Sequence, residues 1–155
     1  MGLAEDAFDR LRRITFEGEF VERMGELSRR TGLSPGVIKT LVRLSSTDGF
    51  SMGEMARVIG CDPSYITALV DDLDERGLAG RQPAPYDRRV KIIVLTEEGR
   101  RMAEEITTVF AVPPASFAAL RAGELRQLRD LLDKVIAADP GMTERGGASA
   151  VQAAS

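Results

Sequence analysis

Two helix signals meet within four residues near the middle of the chain. Gly60 is placed to end one helix in the left-handed conformation that a side chain resists, and Asp62-Pro63 opens the next. An aspartate cap accepts a bond from the first free N–H groups, and proline at the first helical position gives up no bond by lacking its own. A chain that stops and restarts a helix over so short a gap turns sharply there. Ahead of the turn, Ser51 and Glu54 form a capping box that starts a helix at Met52, with Met55, Val58 and Ile59 on its buried side. Beyond it, Ile66, Leu69, Val70 and Leu73 recur at i, i+3, i+4 and i+7. Ser64, Tyr65, Thr67, Ala68, Asp71 and Asp72 are left on the outer side. Two short helices about such a turn are the helix-turn-helix pattern, whose second helix can lie in the DNA major groove.

The residues after the second helix read as a wing. Gly77 stops the helix, Val90–Leu95 is β-branched and apolar, hence a strand, and Leu78–Gln82 can pair with it. Pro83 and Pro85 block strand continuation and stiffen the excursion to a Tyr86-Asp87-Arg88-Arg89 tip. The chain carries a net charge of −3, which argues mildly against nucleic acid as a partner. Counted locally, the balance reverses: from Arg81 to Lys91, the bases Arg81, Arg88, Arg89 and Lys91 face Asp87 as the sole acid. An arginine on such a hairpin can enter a narrow, A·T-rich minor groove, with Asp87 orienting its guanidinium. Asp71 and Asp72 will repel phosphates if they face them, so the electrostatic hold falls to the hairpin and the helix keeps the choice of sequence.

Composition removes several classes. A single cysteine allows no intramolecular disulfide and fits a reducing cytosol. With no histidine, a zinc site of the usual nitrogen–sulfur kind and every imidazole-based catalytic scheme lose their ligands. No apolar run approaches the roughly 18–20 residues of a membrane span, and the charged MGLAEDAFDRLRR start lacks the apolar core of a signal peptide. A cytoplasmic, non-enzymatic protein without cofactor or metal is the expectation. Cys61 stands just before the cap, but Asp62 beside it opposes thiolate formation, and a small buried apolar residue in the turn is the preferred reading.

The flanks are helical. Phe8, Leu11, Ile14 (or Thr15), Phe20, Met24 and Leu27 form a loose stripe over residues 4–30, with a kink or break expected near Gly18. That stripe needs another chain or the C-terminal helices to cover it. Ser34 caps a further helix with Pro35 at its first position, Val37, Ile38, Leu41, Val42 and Leu44 inside, and Lys39 and Arg43 on the solvated side. Thr96 caps a helix with Met102, Ile106, Val109 and Phe110 as its stripe, broken at Pro113-Pro114. After a short turn near Ser116–Leu120, Gly123–Ala138 carries Leu125, Leu128, Leu131, Leu132, Val135 and Ile136 at helical spacing. Residues 139–155 are rich in Gly, Ala and Ser and read as disordered.

Together these residues resemble the MarR family of winged helix-turn-helix transcriptional regulators. The likeness runs from Leu33-Ser34-Pro35 through Met55-Ala56 and Cys61-Asp62-Pro63-Ser64 to Leu73-Asp74-Glu75-Arg76-Gly77-Leu78. It continues through Asp87-Arg88-Arg89 and closes on Leu95-Thr96-Glu97-Glu98-Gly99-Arg100. The wing phrase, Asp-x-Arg before a strand ending in Leu-Thr, is its specific part. The resemblance implies a mainly α fold: an N-terminal dimerisation helix (1–32), a winged helix-turn-helix with a small β-hairpin (33–98), and C-terminal dimerisation helices (99–138). It implies a homodimer on a pseudo-palindromic site in double-stranded DNA. Ser64, Tyr65, Thr67 and Ala68 match the DNA-facing segment, Arg89 the minor-groove arginine, Asp87 its supporting acid, and Arg88 a phosphate contact. Where relatives often carry bases, this chain has Ala68 and Asp72, so bidentate arginine–guanine contacts of roughly 1–3 kcal/mol each are lost there. Modest affinity with a strong contribution from A·T-rich flanks is expected.

Two functions follow. One, implied by the resemblance, is a dimeric regulator, a repressor, whose DNA affinity changes when a small aromatic or phenolic effector binds between the dimerisation helices and the winged domain. The other is a winged-helix protein-interaction module without its own operator, supported by the acidic total charge and by Asp71 and Asp72. A DNA binder loses affinity steeply as salt rises. No constellation of residues supports an enzyme.

Overall fold

Helix signals and helices coincide along most of the chain in the computed structural model, which describes residues 2–139. The elements are α1 (Leu3–Phe16), α2 (Glu19–Thr31), α3 (Pro35–Ser45), β1 (Phe50–Ser51), α4 (Met52–Ile59) and α5 (Pro63–Glu75), then β2 (Ala79–Pro83), β3 (Lys91–Leu95) and α6 (Glu97–Ala111). A 3-10 turn (Ala115–Ala119) and α7 (Ala122–Ala138) follow. The described residues up to Val112 form one compact unit and those from Pro113 on another, divided at the two prolines. The tail expected to be disordered falls, from residue 140 on, outside the described residues.

The break expected near Gly18 is real: α1 stops at Phe16 and Gly18 becomes the N-cap of α2. Ser34 caps α3 by accepting the Val37 N–H at 3.3 Å. Ser51 and Glu54 close their capping box over α4, and the Ser51 bonds, side chain before backbone, hold the Glu54 carboxyl below its ordinary pKa. Gly60 ends α4 at φ 74°, where a side chain would be strained.

The core lies between α2–α6 and the sheet. Leu27, Ile38, Leu41, Leu44, Met55, Ile66, Leu73, Ile93 and Ile106 are each at most 2% exposed. Thr40 is also buried, and its hydroxyl donates to the Gly36 carbonyl at 2.8 Å. The buried side of α4 differs from expectation. Met55 and Ala56 are enclosed while Val58 and Ile59 are half-buried. On an eight-residue helix, Met52, Met55, Ala56 and Ile59 share one face and Val58 falls off its edge.

The sheet runs β1–β3–β2, all antiparallel. Phe50 pairs with Ile93 on one side of β3, and Arg81 pairs with Ile93 on the other. The two-residue strand β1 was not foreseen, being too short to show any periodicity.

The start of α6 is clamped to the turn after α5. Thr96 accepts the Gly99 N–H at 3.0 Å and donates its hydroxyl to the Gly77 carbonyl at 2.7 Å. A Cβ built on Gly99 would lie 1.8 Å from the Leu78 carbonyl oxygen. Only glycine lets α6 approach so closely, which gives the Leu-Thr-Glu-Glu-Gly phrase a packing reason.

Candidate nucleic-acid interface

The solvent face of α5 begins at its cap. Asp62 accepts the Ser64 N–H at 2.8 Å and also the Ser64 hydroxyl. The Ser64 side chain first, then its backbone N–H, holds the Asp62 carboxyl below its usual pKa. Thr67 donates its hydroxyl to the Pro63 carbonyl at 3.0 Å. Both hydroxyl protons are thus used inside the helix, leaving lone pairs outward that can accept from base amino groups. Ala68 is exposed beside them. Tyr65 is about half exposed, and its phenol lies over Gly36 of α3, where an added Cβ would sit 2.5 Å from the phenol oxygen. Part of Tyr65 is therefore packing, and the rest faces outward with Ser64 and Thr67.

The wing extends past its ladder. The Ala84 N–H donates to the Val90 carbonyl at 2.8 Å, and the Val90 N–H donates to the Asp87 carbonyl at 3.0 Å. Asp87 was expected to orient the Arg89 guanidinium. Its shorter bond instead accepts the Arg89 backbone N–H at 2.9 Å, while the guanidinium Nε stands 3.9 Å away. With the Arg89 side chain 95% exposed, that ion pair holds little. Asp87 shapes the backbone of the tip, and Arg88 and Arg89 project into solvent.

Two electrostatic expectations are corrected. Arg81, counted with the cations of the wing, turns back to α5: it reaches Asp71 at 2.5 Å and Asp74 at 3.6 Å. Asp72 likewise pairs with Arg76 at 2.5 Å. Asp71 and Asp72 are therefore not bare charges, and the outward cations of the hairpin reduce to Arg88, Arg89 and Lys91. Sequence counting missed this because charge totals carry no direction.

Cys61 is half-buried against the core, its sulfur 3.9 Å from the Ile59 carbonyl. A separate cavity of about 370 Å³ opens between α2, α3 and α6. Phe20 and Phe110, ring centroids 4.7 Å apart, line it with Met24, Ile38 and Val42; Lys39, Arg43 and Ser46 complete it. Sequence reading placed Lys39 and Arg43 on a solvated face. Their i, i+4 spacing beside an apolar edge was the only hint, because the facing phenylalanines are distant in sequence. Among the described residues, no cluster of His, Cys, Asp or Glu could hold a metal ion. No helix among them is long and apolar enough to cross a membrane.

The MarR family profile matches residues 33–91. A MarR-family transcriptional regulator from Rhodococcus sp. RHA1 is 32% identical, with 87% of this chain and 95% of that one covered at a TM-score of 0.65. The chain belongs to the MarR family. CouR from Rhodococcus jostii RHA1, solved with p-coumaroyl-CoA bound, is 33% identical over 87% of this chain and 94% of its own, with a TM-score of 0.66. The uncharacterized HTH-type transcriptional regulator YhbI of Bacillus subtilis is 27% identical over 108 residues, 69% of this chain and 70% of its own.

As a MarR-family protein the chain is a DNA-binding transcriptional regulator rather than an enzyme. The helix-turn-helix and hairpin described above are the winged-helix portion of that fold. Within it, the outer residues of α5 and the wing tip are the candidate surface for DNA.

Proposed function

We propose that the protein is a dimeric, ligand-responsive repressor that reads a pseudo-palindromic operator. The observation that carries this reading is the pairing of an outward α5 face (Ser64, Tyr65, Thr67, Ala68) with freely exposed Arg88 and Arg89 on a MarR-type scaffold. The helix enters the major groove and reads bases through hydroxyl lone pairs and the Ala68 methyl, which suits a thymine methyl. Arg89 enters the minor groove, Arg88 meets phosphate, and Asp87 keeps the tip in shape. Because α5 itself carries no base, A·T-rich flanks that narrow the minor groove contribute strongly.

Dimerisation is supported by bare apolar faces. Helices α1 and α7 bury no residue, while Phe8, Ile14, Leu131 and Val135 are each at least half exposed. We assign residues 1–32 and 99–138 to the dimer and 33–98 to the winged domain, with the recognition helices of two copies about 34 Å apart. A protein acting on DNA in this way works in the cytoplasm.

The effector is a small aromatic or phenolic molecule in the cavity of α2, α3 and α6. Apolar and aromatic walls with a few polar groups suit such a ligand. CouR, solved with p-coumaroyl-CoA, offers an aromatic acyl thioester as a first probe. Binding there would move α3, whose Gly36 touches Tyr65, and so bias the position of α5. The interaction-module alternative leaned on Asp71 and Asp72, and both of these face arginines within the chain.

Selection from a random duplex pool tests the reading. An inverted repeat with A·T-rich flanks is expected, bound severalfold or more weakly by Arg89→Ala. Recovery of no repeat, or unchanged affinity in that variant, sinks it.

A further inference from the structure

We propose that Arg81 is a positioning residue for DNA reading: it ties the wing strand to the recognition helix, offsets part of the charge of Asp71 and Asp74, and does not itself meet phosphate. This rests on the DNA-binding reading above.

The recognition helix α5 holds Asp71, Asp72, Asp74 and Glu75 in its last turns and no Lys or Arg. Acids at a helix C-terminus are placed against the macrodipole. They would also repel any phosphate brought within a Debye length, roughly 10 Å at 0.1 M salt. Arg81 answers both. Its backbone is held in β2 opposite Ile93 of the central strand, so the guanidinium starts from a fixed point. One nitrogen reaches Asp71 at 2.5 Å and the other reaches Asp74 at 3.6 Å, two acids one turn apart.

The three side chains are 40%, 49% and 48% exposed, so this bridge adds little to global stability. Its effect is local. The hairpin is otherwise joined to α5 through the short Arg76–Leu78 turn and through the apolar packing of α5 on the base of the sheet, and Arg81 adds a tie on the solvent side. A planar guanidinium spanning two carboxylates restricts the angle between hairpin and helix, and hence where Arg88 and Arg89 lie relative to Ser64 and Thr67. Among the hairpin bases, Arg81 is the one turned inward, and that is why counting it as a phosphate contact misreads the wing.

The test uses the full chain and a duplex enriched from a random pool by the wild-type protein. Arg81→Ala is expected to bind on the order of tenfold more weakly, the size of a close charge coupling. The bared Asp71 and Asp74 should make the slope of log affinity against log salt shallower in Arg81→Ala, and neutralising them should bring it back, whereas loss of a phosphate contact lowers it by about 0.9 with or without those acids. Adding Asp71→Asn and Asp74→Asn to Arg81→Ala should restore the wild-type slope and the part of the affinity lost to charge, while the melting temperature moves little. In the free protein, hydrogen exchange at the hairpin amides should quicken severalfold in Arg81→Ala and return toward wild type in Arg81→Lys. A slope that stays lowered by about one in the triple variant as well as in Arg81→Ala makes Arg81 a phosphate ligand and overturns the proposal. If the pool yields no enriched sequence, the DNA reading fails instead. The exchange experiment then stands alone, and unchanged hairpin exchange in Arg81→Ala overturns the tie.

Discussion

Helices α5 and α7 carry apolar stripes at the same spacing, yet α5 buries Ile66, Leu69, Val70 and Leu73 while α7 buries nothing. Leu131 and Val135 of α7 remain 59% and 62% exposed. The amphipathic pattern is thus equally legible in both, and its meaning differs. In α5 the stripe is answered by α3, α4 and the sheet, within a core that Leu27 of α2 and Ala103 and Ile106 of α6 complete. In α7 the stripe is left bare, and the proposed dimer is what would cover it. A single-chain domain and an assembly face look alike in sequence, and separate only when the covering residues are identified.

The sharpest way to break this contrast is to truncate one leucine from each stripe. Leu73→Ala should cost about 2–5 kcal/mol, since a fully buried leucine leaves a cavity. Chemical denaturation measures it. Leu131→Ala, in dilute protein, should stay within about 0.5 kcal/mol of wild type. Equal losses would mean that α7 is covered within its own chain. A second test concerns how tightly the winged domain closes. Gly99→Ala drives a methyl into the Leu78 carbonyl and should cost about 3 kcal/mol, seen as a lowered melting temperature. A silent substitution there would show that α6 can back away from the turn after α5.

The assembly side of the contrast is read by mass. Leu131→Ser with Val135→Ser should convert the dimer expected in light scattering to monomer while the far-ultraviolet helical signal is kept. Persistence of the wild-type mass would place the dimer contact elsewhere. The smallest effect is electrostatic and belongs to α5. Asp62 is held below its ordinary pKa, so its contribution is complete at neutral pH, above that value, and is lost as pH falls through the folded one. Asp62→Asn should therefore melt slightly below wild type at neutral pH, with the gap closing as pH drops below about 3.8. A gap that stays constant into strong acid would remove the charge from the cap's role.

Much of the architecture was legible because it depends on neighbours in sequence. Ser34-Pro35, Ser51 with Glu54, Gly60, Asp62-Pro63 and Thr96 each act within a turn of themselves, and each starts or ends the helix it signals. The inner stripe of α5 matches residue for residue. Strand β1 was illegible, since two residues have no period, and Ala56 outranked Val58 because the contact face of α4 is narrow.

The candidate site divides in the same way. Ser64, Thr67, Ala68, Arg88 and Arg89 face outward as their spacing on helix and loop dictates, because facing is a local property of the backbone. Which partner a charge finds is not local. Arg81 lies ten residues from Asp71 and meets it only because β2 folds back beside α5. The phenol of Tyr65 settles on Gly36 across the α3–α5 contact. Phe20 and Phe110 meet across most of the first unit to wall a cavity that no motif announces. The sequence by itself determined where helices begin, where they end and which side of each is apolar, because bonds within one turn decide those things. The tertiary structure alone decided which apolar sides are covered and which charges are free, because both depend on contacts between residues far apart in the chain.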